Sequence, residues 1–411
     1  MHPKELKIED FTYHLPDERI AKYPLTERDA SKLLIYKDGV ISEDIYRNIN
    51  THIPDNSLMV FNQTKVVHAR MLFKKHSGGV IEVFCLAPHK QYADIHSAML
   101  QKGEVLWECM IGGASKWKHG LVLQLANENP RFILSAKITE RYPASYIVKL
   151  EWDNDQLTFA EVLHYAGKVP LPPYLHREAE VTDETRYQTL FAKEEGSVAA
   201  PTAGLHFTNE VIQSLQEKKI DTAFVTLHAG AGTFKPVKAE TMAGHDMHAE
   251  WIEVNYETVL QLSEHLDKNI VAVGTTSLRT LESLYWMGNK IANGVVVDLH
   301  DIAVSQWDPY GENTNVPADV ALKAITDFMH IKNLKKLVTR TQILIAPGYE
   351  FKIVNGLVTN FHQPQSTLLL LVSAFIGPGW RKVYDYALDN GFRFLSYGDG
   401  CLLQRRLTPG T

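Results

Sequence analysis

The chain has 411 residues, 45% hydrophobic and 22% charged, a globular composition that excludes a disordered, collagenous or coiled-coil protein and suits two or three domains. Its 42 Lys and Arg against 48 Asp and Glu give a formal charge of -6, so broad polyanion binding is excluded and any nucleic acid has to meet a local basic face. Three scattered cysteines, Cys85, Cys109 and Cys401, without a C-x-x-C pair, exclude a disulfide framework and a cysteine-based zinc site.

In chain order, Met1-His2-Pro3-Lys4-Glu5-Leu6 mixes charges with no apolar stretch behind it, so it does not read as a secretory signal and a cytoplasmic protein is expected. From 71 to 152 short β-rich runs dominate, at 80–84, 106–110, 121–125, 131–134 and 146–150. Gly78-Gly79, Gly112-Gly113 and Asn127-Glu128-Asn129-Pro130 separate them with turn chemistry. This texture predicts a small all-β barrel inserted at 71–153 into a body made of 1–70 and 154–411. After Asp153 strands alternate with helices, the sign of a mixed α/β layer.

Within that body Thr208 caps a helix over 209–219, and a strand follows at 223–227. A helix at 257–266 precedes a buried strand at 270–273, and Gly274-Thr275-Thr276-Ser277 turns into a helix at 278–287. A long loop over 298–311 leads to a helical, basic segment at 320–336. Ser366 or Thr367 starts a helix through 375, the next covers 381–389, and 393–396 and 401–403 read as closing strands. The longest apolar run, 368–376, has nine residues, about half of the ~20 that a membrane span requires. Basic candidates for an RNA face are Lys74-Lys75, Lys116 with Lys118, and 330–336 with Arg340; each reads equally as solvated surface.

Four loops combine glycine with hydrogen-bonding side chains: 200–208, 227–234, 273–282 and 360–367. In α/β sheets ligands sit at such strand ends. They contribute Thr202, Gly204, Gly230, Gly232, Thr275, Thr276, Asn360 and Ser366, where glycine admits close backbone approach and hydroxyls or helix-start amides hold an anion. His206, His228 and His362 lie one in each of three of these loops; an imidazole suits proton transfer near neutral pH, and each also reads as a histidine bonded to backbone. Arg279 and Glu282, three apart on one helix, form either a surface ion pair or the walls of a polar pocket. In a strand over 248–254, His248 and Glu250 share a face, a pair suited to general-base work; the spacing matches no zinc pattern and no metal is expected. Gly230-x-Gly232 lacks the third glycine of a dinucleotide fingerprint, and the Gly274 turn lacks the P-loop lysine.

At these loops the chain resembles the S-adenosylmethionine:tRNA ribosyltransferase-isomerase family of queuosine biosynthesis. The matching blocks are 11–16, 20–24, 198–208, 227–237, Met247-His248-Ala249-Glu250, 273–283, Pro347-Gly348-Tyr349-Glu350-Phe351 and 359–375. The resemblance implies an α/β body with an inserted barrel, and a monomer is expected because the chain itself contains both domains. It implies transfer of the ribosyl part of S-adenosylmethionine onto 7-aminomethyl-7-deazaguanine in the tRNA anticodon loop, with isomerisation to an epoxy-cyclopentane and loss of adenine and methionine. S-adenosylmethionine is then a consumed substrate, and no cofactor and no membrane are implied. That chemistry needs a base for an acidified C5′ proton and help for the departing adenine, for which His206, His228, His248 and Glu250 are candidates. Arg279, Thr275 and Thr276 suit the methionine carboxylate or ribose hydroxyls, and Phe207, Tyr349 and Phe361 offer faces for stacking on the flipped base, though Phe207 and Phe361 read equally as core. The chain departs from the family pattern at Gln363, Gln365 and Ala229, where Leu, Lys and Val are common, and reads as longer than usual, mostly over 289–340 and within the β-module. Two alternatives stay open: a same-scaffold enzyme with another acceptor, and a non-catalytic RNA-binding relative.

Overall fold

Leu58-Met59-Val60-Phe61 and Ile270-Val271-Ala272-Val273 are unbroken apolar runs, the pattern of strands covered on both faces, and they lie at the centre of a nine-stranded sheet. The computed structural model describes residues 2–75, 78–118, 120–126, 131–143, 145–230, 237–296, 298–299, 301–312 and 314–405. In chain order the first strands are β1 (Lys32–Lys37), β2 (Val40–Ile45), β3 (Leu58–Asn62) and β4 (Thr64–Val66). Next come β5 (Arg70–Lys74), β6 (Val80–Pro88), helix α1 (Ile95–Met99), β7 (Glu104–Gly112), β8 (Leu123–Ala126), β9 (Ile133–Arg141) and β10 (Tyr146–Trp152). After helices α2 (Phe159–Ala166) and α3 (Asp183–Arg186) follow β11 (Glu194–Ser197), α4 (Asn209–Glu217), β12 (Asp221–His228) and β13 (Glu250–Asn255). The chain closes through α5 (Tyr256–Ser263), β14 (Ile270–Val273), α6 (Thr275–Ala292), α7 (Ala318–Ile331), β15 (Lys336–Thr341), β16 (Gly356–Asn360), α8 (Thr367–Ile376), α9 (Gly379–Asp389) and β17 (Gly400–Gln404).

The large sheet has the order β15-β13-β12-β3-β14-β16-β17-β1-β2. Its four central strands, β12, β3, β14 and β16, run parallel, so their carboxyl ends share one edge. The antiparallel β13 begins at that same edge, pairing Trp251 with His228. Strands β5 to β10 form the second sheet, ordered β5-β6-β7-β10-β9-β8, whose outer strands β5 and β8 come together in a nearly closed barrel. The barrel has its own core, including Phe73, Trp107, Trp117 and Phe159, and within it Cys85 faces Cys109 with free sulfurs 3.9 Å apart. The chain is therefore a mixed α/β body with a small all-β barrel set into it, as its two textures predict. Among the described residues no helix is long and apolar enough to cross a membrane.

Several elements differ from their predicted bounds for local reasons. Residues 393–396 form no strand: Leu395 takes φ +66°, and the Asp399 carboxylate accepts from the Arg393 backbone N–H (2.8 Å), so the chain turns there. Helix α6 starts at Thr275, because Gly274 at φ +91° makes the bend in a single residue. The basic helix stops at Ile331, where Asn333 at φ +53° ends it before β15. His248 precedes β13 and lies outside the strand. The predicted turn at 127–130 falls outside the described residues.

Candidate active site

Polar residues close the buried central strands, and they gather at the shared edge. Asn62, last residue of β3, accepts from the N–H groups of Thr64 and Leu227 (both 3.1 Å) and donates to the Leu227 carbonyl (3.0 Å) and Thr276 Oγ1 (3.2 Å). This one side chain fixes the ends of β3 and β12 to the start of α6. Asn360 closes β16 in the same manner: its Oδ1 accepts from Thr202 Oγ1 (2.7 Å), and its Nδ2 donates to His206 Nε2 (3.4 Å).

Two hollows open at this edge and share Thr275, Thr276 and Leu368. The larger encloses about 710 Å³ including its mouth, and its lining includes Thr202, Asn360, His362 and Ser366. The second, about 610 Å³, is lined by His245, His248, Arg279 and the apolar Ile343, Leu344 and Leu371 among others. Their contiguity suits one elongated ligand. Ser366 also accepts from Leu369 N–H (3.2 Å), capping α8.

The second hollow has a charged wall. Arg279, only 6% exposed, donates through Nη1 to Glu250 Oε2 and through Nε to the Ile343 carbonyl (3.4 Å), whereas its Nη2 has no partner. Burial would raise the Glu250 carboxyl, but the Arg279 charge and the His248 ring, 3.6 Å from Oε1, hold it down at about 2. Glu250 is thus an anion that charges this wall. Gly230 donates its N–H to Glu250 (3.4 Å), and a side chain there would meet the His248 ring at 3.2 Å.

Of the other expected residues, His206, His228 and Gly204 stand behind the two hollows, whereas His362 lines the larger one. His206 stacks on Tyr46 with ring centres 4.1 Å apart, and burial pushes its imidazole down to about 4, so it is neutral. With Nε2 accepting from Asn360, Nδ1 donates to the Arg28 carbonyl (3.4 Å). His228 lines neither hollow: its Nδ1 lies 2.9 Å from Thr64 Oγ1 and its Nε2 3.5 Å from Glu253 Oε1, too long for a good hydrogen bond. Gly196, at φ +145°, leaves it room, since a Cβ there would meet Nδ1 at 2.9 Å. The Glu253 carboxyl, which burial would raise, is brought down to about 2 by His228 and Lys336. His362 Nε2 lies 2.8 Å from Thr359 Oγ1, and burial pushes its ring down to about 3. Gly204 is buried in the turn behind Thr202.

Glu282 and Tyr349, expected to bind substrate, are placed in the core and line neither hollow. Glu282 accepts from the N–H groups of Lys352, Ile353 and Val354 (2.9 to 3.0 Å) and from the Tyr349 hydroxyl (2.8 Å). With that shell its carboxylate pins the 349–354 loop. Phe207 packs edge-on against Phe61 in the core, and Phe361, though it borders the larger hollow, is held among Tyr384, Phe392 and Phe394, so neither ring is free to stack on a base. Gly232 lies outside the described residues. Asn62, Tyr174, Tyr187, Thr359 and Ser396 were not legible as site residues; for Asn62 the signal was an asparagine closing an apolar strand, as at Asn360.

The queuosine biosynthesis protein family matches residues 8–403. An S-adenosylmethionine:tRNA ribosyltransferase-isomerase of Pelobacter propionicus is 35% identical over 403 residues, 97% of this chain and 99% of the relative. The enzyme of the same name from Halothermothrix orenii is 36% identical over 406 residues, 97% of this chain and 100% of the relative. A crystal structure of an S-adenosylmethionine tRNA ribosyltransferase from Thermotoga maritima is 28% identical, with a TM-score of 0.45, over 96% of this chain and 99% of that one. The two sequence relatives are matched almost end to end.

Proposed function

The chain belongs to the queuosine biosynthesis protein family, and from that membership we propose that it transfers and isomerises the ribosyl moiety of S-adenosylmethionine onto 7-aminomethyl-7-deazaguanine at the tRNA wobble position. Adenine and methionine leave, and the product is epoxyqueuosine-tRNA. S-adenosylmethionine is consumed as a substrate and no cofactor takes part. The body of 1–70 and 154–411 carries the chemistry, the inserted module 71–153 flanks it, and the chain acts as a cytoplasmic monomer.

The observation that carries this reading is the buried Nη2 of Arg279, without a partner among the described residues, on a side chain that lines a hollow running into a second one through Thr275 and Thr276. A guanidinium N–H is a strong carboxylate donor, and the free amides at the start of α6 add to the attraction. The methionine end sits in the Arg279 hollow, the ribose at Thr275 and Thr276, and the purine in the larger one, where Thr202, Asn360, His362 and Ser366 supply hydrogen bonds. His248 is the base for the C5′ proton: of the four proton-transfer candidates it alone lines either hollow, and Glu250 beside it stabilises the imidazolium that forms. Neutral His206 acts through Asn360, and His228 through the β12 end, as positioning residues. The acceptor base lies in a single-stranded loop and enters without melting a duplex.

The test is incubation of the pure protein with S-adenosylmethionine and tRNA bearing the aminomethyl-deazaguanine, with mass spectrometry of the products. Adenine, methionine and the epoxide nucleoside are expected together. Adenine without modified tRNA would assign another acceptor, and tight tRNA binding without turnover would remove the activity.

A further inference from the structure

Among the described residues lining the larger hollow none is Asp, Glu, Lys or Arg, and its walls at Ala199, Ala200 and Ala203 are small and apolar. That end suits a flat, uncharged ring. Tyr187 lines it, is 0% exposed, and carries a hydroxyl that lies near the Ser396 hydroxyl and the Ala200 backbone but makes no hydrogen bond of good geometry among the described residues. A buried polar group left unpaired is unfavourable unless a ligand completes it. The neighbouring phenol does not share the deficit, because the Tyr174 and Ser396 hydroxyls pair with each other at 2.6 Å. Nor is Tyr187 loosely held: Tyr397 packs edge-on against its ring at 5.8 Å and is itself anchored by donating to Asp183 (2.7 Å).

We propose that Tyr187 is a catalytic residue, the hydrogen-bond donor to the departing purine of the sulfonium nucleoside, an inference that rests on the reading above. The bond that breaks joins the ribosyl carbon to a purine ring nitrogen, and its electron pair leaves with the base. A donor against another ring nitrogen stabilises that charge while it develops, and water supplies the proton of the released neutral adenine. Burial raises the Tyr187 hydroxyl well above its ordinary range, so it stays protonated and donates without titrating.

Single-turnover adenine release by Tyr187→Phe is expected to fall about 10–100-fold, with little change in the unfolding midpoint because the hydroxyl makes no internal hydrogen bond of good geometry among the described residues. S-adenosylmethionine analogues with a ring N3 or N7 replaced by CH extend the test to the unaltered enzyme: one of them slows wild type by a like factor and slows Tyr187→Phe no further. Adenine release at the wild-type rate in Tyr187→Phe, a change confined to tRNA affinity, or a wild type indifferent to both analogues would overturn the assignment. Absence of adenine release from wild type with the natural substrates would instead defeat the underlying reading.

Discussion

Helix α6 carries two buried charged residues one turn apart, and they behave oppositely. Around Glu282 every nearby donor is matched, by three loop N–H groups and one phenol, and that phenol also accepts from Trp286 Nε1 (2.9 Å). Around Arg279 one guanidinium nitrogen is left over among the described residues, on a side chain that lines a hollow. Sequence spacing treats the two alike, as members of one i, i+3 pair. On this helix the two differ in hydrogen-bond completeness: the filled shell of Glu282 holds the fold, and the Arg279 guanidinium keeps one donor for a ligand.

The widest break in that comparison comes from emptying the filled shell. Glu282→Ala leaves three N–H groups and a phenol without their acceptor, at about 1–3 kcal/mol each. A loss of roughly 4 kcal/mol or more is expected in urea unfolding, while the KM for S-adenosylmethionine of the folded fraction stays put. At the open shell the reverse is expected. His248→Ala lowers the single-turnover adenine rate about 10²–10⁴-fold and shifts stability by no more than about 0.5 kcal/mol. Next in size is an acid effect from the groups behind the hollows. The folded His206 imidazole titrates near 4, below its unfolded value of 6.5, so between those values the unfolded chain binds more protons and stability falls as pH drops. The window is worth roughly 3 kcal/mol, and Glu250 and Glu253, held at about 2, extend the decline below pH 4.5. Chemical unfolding from pH 7 to 4 checks it, with His206→Gln giving the shallower slope. The smallest effect sharpens the contrast: Arg279→Lys keeps the charge against Glu250 but loses the fork, and raises the KM for S-adenosylmethionine about tenfold.

Much of the fold was legible because burial writes itself into period. The unbroken run at 270–273 became β14 with those bounds, and the β-rich texture after residue 70 became the barrel. The loops were legible as loops, and Thr202, Thr275, Thr276, Asn360, His362 and Ser366 do converge on one hollow. What stayed hidden depends on long-range partners. Nothing near Glu282 in sequence announces that the amides of 352–354 will surround it, and Tyr187 sits in the unremarkable stretch Thr185-Arg186-Tyr187-Gln188. His206 and His228 drew notice by residue type, yet their side chains are enclosed behind the wall, with Asn360 and Ala229 presented in their place.

The most direct measurement is a crystal structure of the protein with an unreactive S-adenosylmethionine mimic, an amine in place of the sulfonium. The account predicts its carboxylate within hydrogen-bond reach of Arg279 Nη2 and its purine in the neighbouring hollow beside Thr202 and Asn360. A mimic bound elsewhere, with Nη2 still unpartnered, would contradict it.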